Sequence, residues 1–219
     1  MTTLPLPESE GGHRYPGADV MAQASRWDAA TRRVVEARMR PPGPLSFFTE
    51  HEAVTARELI TALLDQTDDE HQHIPVTNMI DARLAAGQTD GWRYADLPED
   101  REAWRLSLAA LDAESGSRYG AAFADISRSQ RVEMLQALLD ADRWRDFPVT
   151  ELWSLWTRYA CSAFYSHPEA WNEIGFGGPA YPRGYKNLGL DALEPHEVRD
   201  TRPEQDPVGR AAEDHPPRR

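Results

Sequence analysis

One helix constrains this chain more than any other feature. From Pro148 to about Tyr165 the sequence carries Leu152, Trp153, Leu155, Trp156, Tyr159, Phe164 and Tyr165. Wound at 3.6 residues per turn, these side chains cover most of the circumference, not one stripe. A helix apolar nearly all round needs neighbours on several sides, which places it at the centre of a bundle. Directly after it, residues 166–185 hold Gly175, Gly177, Gly178 and Gly184 together with Pro168, Pro179 and Pro182. Such a stretch is expected to be neither regular helix nor strand. Its aromatic residues argue against a flexible linker and for an ordered irregular loop, the kind of element on which binding tends to lie.

The rest of the chain supplies the helices that would surround the central one. Ser25 to Arg40 can form a polar helix with Ser25 as N-cap and Asp28 three residues on, stopped by Pro41-Pro42-Gly43-Pro44. Thr49 and Glu52 have the spacing of a capping box and start a helix to about Asp65, with Ala56, Leu59, Ile60, Leu63 and Leu64 on one face. Pro75 opens a short helix through Met79, Ile80 and Leu84 that ends at Gly87. A further helix is expected over 99–114, with Trp104, Leu108 and Leu111 on one stripe. Ser127 and Gln130 form a second capping box before Val132, Leu135, Leu138 and Leu139. No strand pattern is evident. The expected fold is therefore all-α: an irregular bundle of about five to six helices with an ordered Gly/Pro/aromatic C-terminal loop and extended tails. The expected domain limits are an N-terminal extension with one helix (1–44), the helical domain (45–193) and a disordered polar tail (194–219).

Composition narrows the function classes. The net charge is -12, and residues 50–102 alone hold 13 acids against 4 bases. That balance disfavours nucleic acid and anionic membrane surfaces as partners and reads as a solvated face. No segment approaches the ~20 apolar residues of a membrane span. Met1 to Pro16 lacks a basic region followed by an apolar core, and no apolar run follows Arg32-Arg33, so the reading is cytoplasmic. The lone Cys161 excludes an internal disulfide framework and reads as a small buried residue.

Reactive constellations are sparse. His71 and His73 beside Asp68, Asp69 and Glu70 have no third distant ligand motif, so a solvated loop is expected and no metal site. Glu194-Pro195-His196-Glu197 is a weaker candidate still. No Glu-x-x-His pair lies within the last three helices, as a di-metal bundle would need. Gly175-x-Gly177-Gly178 follows no strand and precedes Pro179, which is the wrong context for a dinucleotide loop. Trp153 and Trp156 are expected in the core. The loop residues Trp171, Asn172, Phe176, Tyr181, Arg183 and Tyr185 are the expected partner interface, because large aromatics and arginine anchor protein contacts.

The order of these segments resembles a known family. Phe47-Phe48-Thr49-Glu50-His51-Glu52, Leu108-Ala109-Ala110-Leu111-Asp112, Phe123-Ala124-Asp125-Ile126-Ser127 with Gln130, and Ala163-Phe164-Tyr165-Ser166-His167-Pro168 are similar, in that order, to the motifs of the gluconate 2-dehydrogenase subunit 3 family. The resemblance spans roughly residues 46–190. It implies a small, helical, non-catalytic accessory subunit with no cofactor of its own. The implied partner is a large FAD-dependent oxidoreductase of the glucose–methanol–choline (GMC) family acting on a sugar, glycoside or sugar acid. A cytochrome c subunit joins in some complexes. Many members carry a twin-arginine export signal that this chain does not show, so export would mean riding on a signal-bearing partner. The segment 171–181 also departs from the family's usual loop. The competing expectation is a stand-alone helical ligand-binding protein or enzyme with a pocket under residues 171–185.

Overall fold

A computed structural model of the chain describes residues 14–64, 74–187, 189 and 192–204. It is mostly helical. A 3-10 helix (Val20–Arg26) is followed by α1 (Ala29–Arg38), α2 (Glu50–Leu64), α3 (Val76–Ala85), α4 (Asp100–Tyr119), α5 (Arg128–Leu139), α6 (Val149–Phe164) and α7 (Pro168–Glu173). Two short strands, β1 (Arg143–Trp144) and β2 (Phe147–Pro148), form an antiparallel hairpin directly before α6. Contacts divide the chain into two compact units. The first is Pro41–Phe164. The second joins the two ends of the chain, Thr2–Arg40 with Tyr165–Arg219.

In the first unit α6 packs on α2, α3 and α5, and α2 also packs on α3, α4 and α5. Leu152, Leu155, Trp156, Tyr159 and Ala160 of α6 are buried, but they share one broad face: Trp153, expected in the core, is only half-buried, and Tyr165 just past the helix is exposed, so α6 is not enclosed on all sides. Trp156 donates from Nε1 to Ser107 Oγ at 3.1 Å, so this buried indole keeps its one polar atom paired. Both expected capping boxes form. Thr49 Oγ1 accepts from Glu52 N, and Glu52 Oε2 accepts from Thr49 N. Ser127 and Gln130 pair the same way.

Several sequence expectations are corrected. α4 does not stop at Glu114 but runs five residues further and closes on Gly120 at φ +74°. Ser115 is buried within it, so tertiary burial outweighs the weak propensity of Ser115-Gly116-Ser117. The N-terminal helix is not capped by Ser25. Asp28 caps α1 by accepting from Thr31 N, and the residues before it form the separate 3-10 turn. Residues 166–185 are not wholly irregular. α7 forms there because Pro168 takes the first helical position, where its missing N–H is harmless, and the side chain of His167 caps it. Cys161 is exposed, not buried. Val132 and Leu139 lie on the solvent side of α5, which buries Met134, Leu135 and Leu138 instead.

Two acids of the acidic stretch are not solvated. Asp81 is buried and accepts from the backbone N–H groups of Ser46, Phe47 and Phe48 at 2.7, 3.0 and 2.8 Å. It holds the entrance to α2 against α3. Asp100 is buried and accepts from the hydroxyl of Tyr159 at 2.6 Å.

Candidate functional site

The second unit carries the segment that the sequence marks for binding, and its floor is a small apolar core. Val20, Trp27, Val35 and Trp171 are buried together, with Met21 and Ala24 against them. Trp171 therefore does not present its ring to solvent. It is 6% exposed, and its Nε1 donates to the carbonyl of Tyr165 at 2.6 Å. Arg38 covers its face at 5.7 Å and donates to the carbonyl of Ser166 at 2.9 Å. Asn172 is also turned inward, accepting from Val20 N at 2.8 Å. The Asn172 bond, 152 positions in sequence, and the packing of Trp171 on Val20, Trp27 and Val35 tie α7 to the N-terminal segment.

The loop that follows lies directly on the N- and C-terminal segments. At Gly175, φ is +69°, and an added Cβ would stand 2.7 Å from Cγ of the Tyr15 ring. At Gly178, φ is +80°, and a Cβ would meet Val20 Cγ2 at 2.5 Å and Trp27 Cζ2 at 3.2 Å. Both conditions, the left-handed backbone and the absence of side-chain room, demand glycine. Gly177 is pressed from the other side by Glu197 and His196. The glycines are therefore close-packing points, not hinges.

Above this floor the remaining predicted residues separate. Phe176, Tyr181 and Tyr185 are 41%, 66% and 53% exposed. Phe176 stands edge-on to Trp171 at 5.4 Å, so the buried indole fixes the base of the exposed ring. Tyr181 precedes Pro182 through a cis peptide bond. Arg183 is half-buried and donates from Nη1 to Gln23 Oε1 at 3.4 Å. Of the six predicted residues, three are thus exposed aromatics, while Trp171, Asn172 and Arg183 are turned to internal partners.

Residues 192–204 close the far side. Glu194 is buried and accepts from Lys186 N and from Asn187 N, the latter at 2.7 Å. These two amides hold its carboxyl below the usual carboxylate range. Arg14 pairs with Asp200, donating from Nε at 2.9 Å, and Thr201 N donates to the carbonyl of Arg14 at 2.8 Å. Nothing local in the sequence signals these pairs. The only available signs were polar side chains in a Pro-rich stretch.

The first unit holds two polar groupings that the sequence did not single out. Exposed His51 pairs with Asp112 at 2.8 Å, and Asp112 also accepts from Thr55 Oγ1 and Phe123 N. Arg158 lies over Trp92 at 4.4 Å and pairs with Asp90 at 3.2 Å, beside the Tyr159–Asp100 pair. Burial, with the adjacent Asp100 carboxylate, drives the Tyr159 hydroxyl far above its ordinary range and keeps it a donor. Both arrangements bind helices together. Among the described residues no group of three or more His, Cys, Asp or Glu could hold a metal ion, and no helix is long and apolar enough to cross a membrane. The His71/His73 loop lies outside the described residues.

The model of the family described as Gluconate 2-dehydrogenase subunit 3 matches residues 50–178. No curated protein and no solved structure matches the chain. The match takes in α2 to α7 and ends at Gly178, in the glycine loop. The Tyr15, Val20, Trp27 and His196 contacts come from outside it.

Proposed function

Because the chain belongs to the gluconate 2-dehydrogenase subunit 3 family, we propose that it is the non-catalytic small subunit of a dehydrogenase complex. In this reading it binds, and stabilises or helps mature, a large FAD-dependent oxidoreductase of the GMC family. The substrate class is a sugar, glycoside or sugar acid. FAD belongs to the partner, and a cytochrome c subunit completes the complex where electrons leave by that route.

The observation that carries the reading is that Phe176, Tyr181 and Tyr185 are exposed, in a segment whose backbone at 175–178 is held by Tyr15, Val20, Trp27 and Trp171. Exposed aromatic rings on a braced loop offer contact area with little conformational entropy left to lose on docking. A substrate pocket under the loop is disfavoured. The cavity beside Asn172 and Gly175–Gly177 is about 20 Å3, room for one water-sized group and far below a sugar.

Co-expression with a candidate GMC-family flavoprotein tests this. A tagged chain should retain a yellow, stoichiometric partner with flavin absorption. A stable, colourless chain that retains no flavoprotein would refute it.

A further inference from the structure

One imidazole in the second unit joins two helix ends and has both ring nitrogens committed. His167 is 5% exposed and stands immediately before α7. Its Nδ1 accepts from Glu169 N at 3.4 Å and so caps that helix. Its other ring nitrogen donates to the backbone carbonyl of Arg38, the last residue of α1. Only the neutral ring with its proton on Nε2 makes both bonds, because a ring nitrogen that accepts carries no hydrogen.

The floor of the aromatic loop rests on this ring. The Arg38 side chain donates to the carbonyl of Ser166 at 2.9 Å and covers Trp171 at 5.7 Å. Trp171 donates from Nε1 to the carbonyl of Tyr165 and stands edge-on to exposed Phe176 at 5.4 Å. Phe176 N donates in turn to the carbonyl of Trp171 at 2.9 Å. A change at His167 therefore reaches Phe176 through one short helix. Charged groups act on the imidazole from both elements that it joins. Glu169 on α7 places its carboxylate 3.9 Å from Nδ1, and Arg38 faces it from α1. Burial is the largest influence and, with the Arg38 charge, holds the ring below its ordinary value, against Glu169 and the Arg38 backbone bond. The ring is thus neutral at pH 7, as its two bonds demand.

We propose that His167 is a proton-driven latch on the aromatic loop. A proton taken from solvent at Nδ1 turns the acceptor of the cap into a donor. The Glu169 amide then loses its partner and faces an N–H, while the Glu169 carboxylate beside it becomes the acceptor for that N–H. The exchange draws the ring out of its buried position toward a half-exposed side chain. The first turn of α7 opens, and Trp171 and Phe176 lose their fixed positions. Above the transition the loop is braced, and below it the loop is loose. Loss of a docked partner on acidification rests on the accessory-subunit reading; the latch itself does not.

The test uses the full chain, followed by proton–nitrogen correlation spectra from pH 7.5 to pH 5. The probes are the ring nitrogens of His167 and the indole N–H of Trp171, assigned with Trp171→Phe. At pH 7.5 the ring should show the Nε2–H tautomer. Its titration midpoint should lie below 6.5, and the Trp171 resonance should shift with the same midpoint. H167N keeps a side-chain acceptor for the Glu169 amide but cannot titrate, so it should abolish the Trp171 response; circular dichroism at pH 7.5 checks that it folds. E169Q removes the carboxylate that receives the proton-bearing nitrogen and should move the midpoint lower still. Capture of the flavoprotein across the same pH range is a separate arm. Capture that falls with the His167 midpoint, and not in H167N, extends the latch to the partner. Capture indifferent to pH with the Trp171 response intact refutes docking through this loop and leaves the latch standing. An Nδ1–H tautomer at pH 7.5, a Trp171 resonance that ignores the His167 midpoint, or an unchanged Trp171 response in H167N would overturn the proposal.

Discussion

Gly175→Ala should unlatch the aromatic loop, and the structure says by how much. The residue has φ +69°, a conformation that costs an alanine roughly 1–2 kcal/mol. Its new methyl would also lie 2.7 Å from Cγ of Tyr15, well inside van der Waals contact, and overpacking of this kind costs roughly 1–3 kcal/mol. The total is about 2–5 kcal/mol, borne by the second unit. Gly184 provides the control. It has the same φ of +69° with nothing within 4 Å, so Gly184→Ala pays only the backbone part. Tyr15→Ala removes the ring, so the Gly175→Ala/Tyr15→Ala pair should recover the steric share, a coupling of about 1–3 kcal/mol in a double-mutant cycle. Amide hydrogen exchange over 168–178 reads the opening free energy of this segment directly. Equal losses for Gly175→Ala and Gly184→Ala, or no rescue by Tyr15→Ala, would refute the close-packing account of the glycine.

Four further perturbations discriminate parts of the structure. Asp81→Ala leaves the amides of residues 46–48 without an acceptor and should destabilise the first unit by roughly 3 kcal/mol or more. Urea melts followed by tryptophan fluorescence measure this, and a loss under 1 kcal/mol would show that the three bonds are dispensable. Trp171→Ala should cost roughly 3–5 kcal/mol of stability in the second unit as a core truncation. Tyr181→Ala should leave helix content unchanged and weaken capture of the flavoprotein; pull-down and circular dichroism on both variants separate core from interface. His167 accepts from Glu169 N at 3.4 Å through Nδ1, and burial holds its imidazole below the ordinary value near 6.5, against the carboxylate of Glu169 at 3.9 Å and a backbone hydrogen bond at Arg38, which both favour the charged form. Its neutral form is thus the folded form. The stability this gives is complete above pH 6.5 and is lost as pH falls through the lower folded value. Melting temperatures from pH 7.5 downward should show this slope in the parent chain and a flatter one in His167→Asn, which keeps a cap but cannot titrate. Identical slopes would remove His167 from the account.

What the sequence made legible was local chemistry. The capping boxes at Thr49/Glu52 and Ser127/Gln130 involve residues three apart, and both formed as read. The apolar circumference of α6 read as a helix enclosed on all sides, but only the face of Leu152, Leu155, Trp156 and Tyr159 is buried, while Trp153 stays half-buried. The errors arose where distant residues decide. Trp171 lies in a Gly/Pro-rich stretch and reads as an exposed anchor, but Val20, Trp27 and Val35 come from the other end of the chain to bury it. Asp81 reads as one more surface acid, and only the fold brings three free amides to it. Pro168 reads as a breaker, but at the first position of a helix the same ring is compatible with α7. The glycines were legible as irregular backbone, while their close contacts were not, because Tyr15 and His196 are about 160 and 20 residues away from them in sequence.

The pairing of Arg14 with Asp200 and Thr201 has a consequence for biosynthesis. The first unit is a single continuous stretch, so it can close as soon as residue 164 has left the ribosome. The second unit cannot. Its first half, up to residue 40, is made before the bundle and must wait for the segment from residue 165 onward, with the whole bundle intervening. Tyr15, Val20 and Trp27 remain without their glycine loop until residues 175–178 have followed the bundle. The braced loop therefore comes into being only after the bundle, and a nascent chain stalled before residue 200 would lack the clasp that completes it.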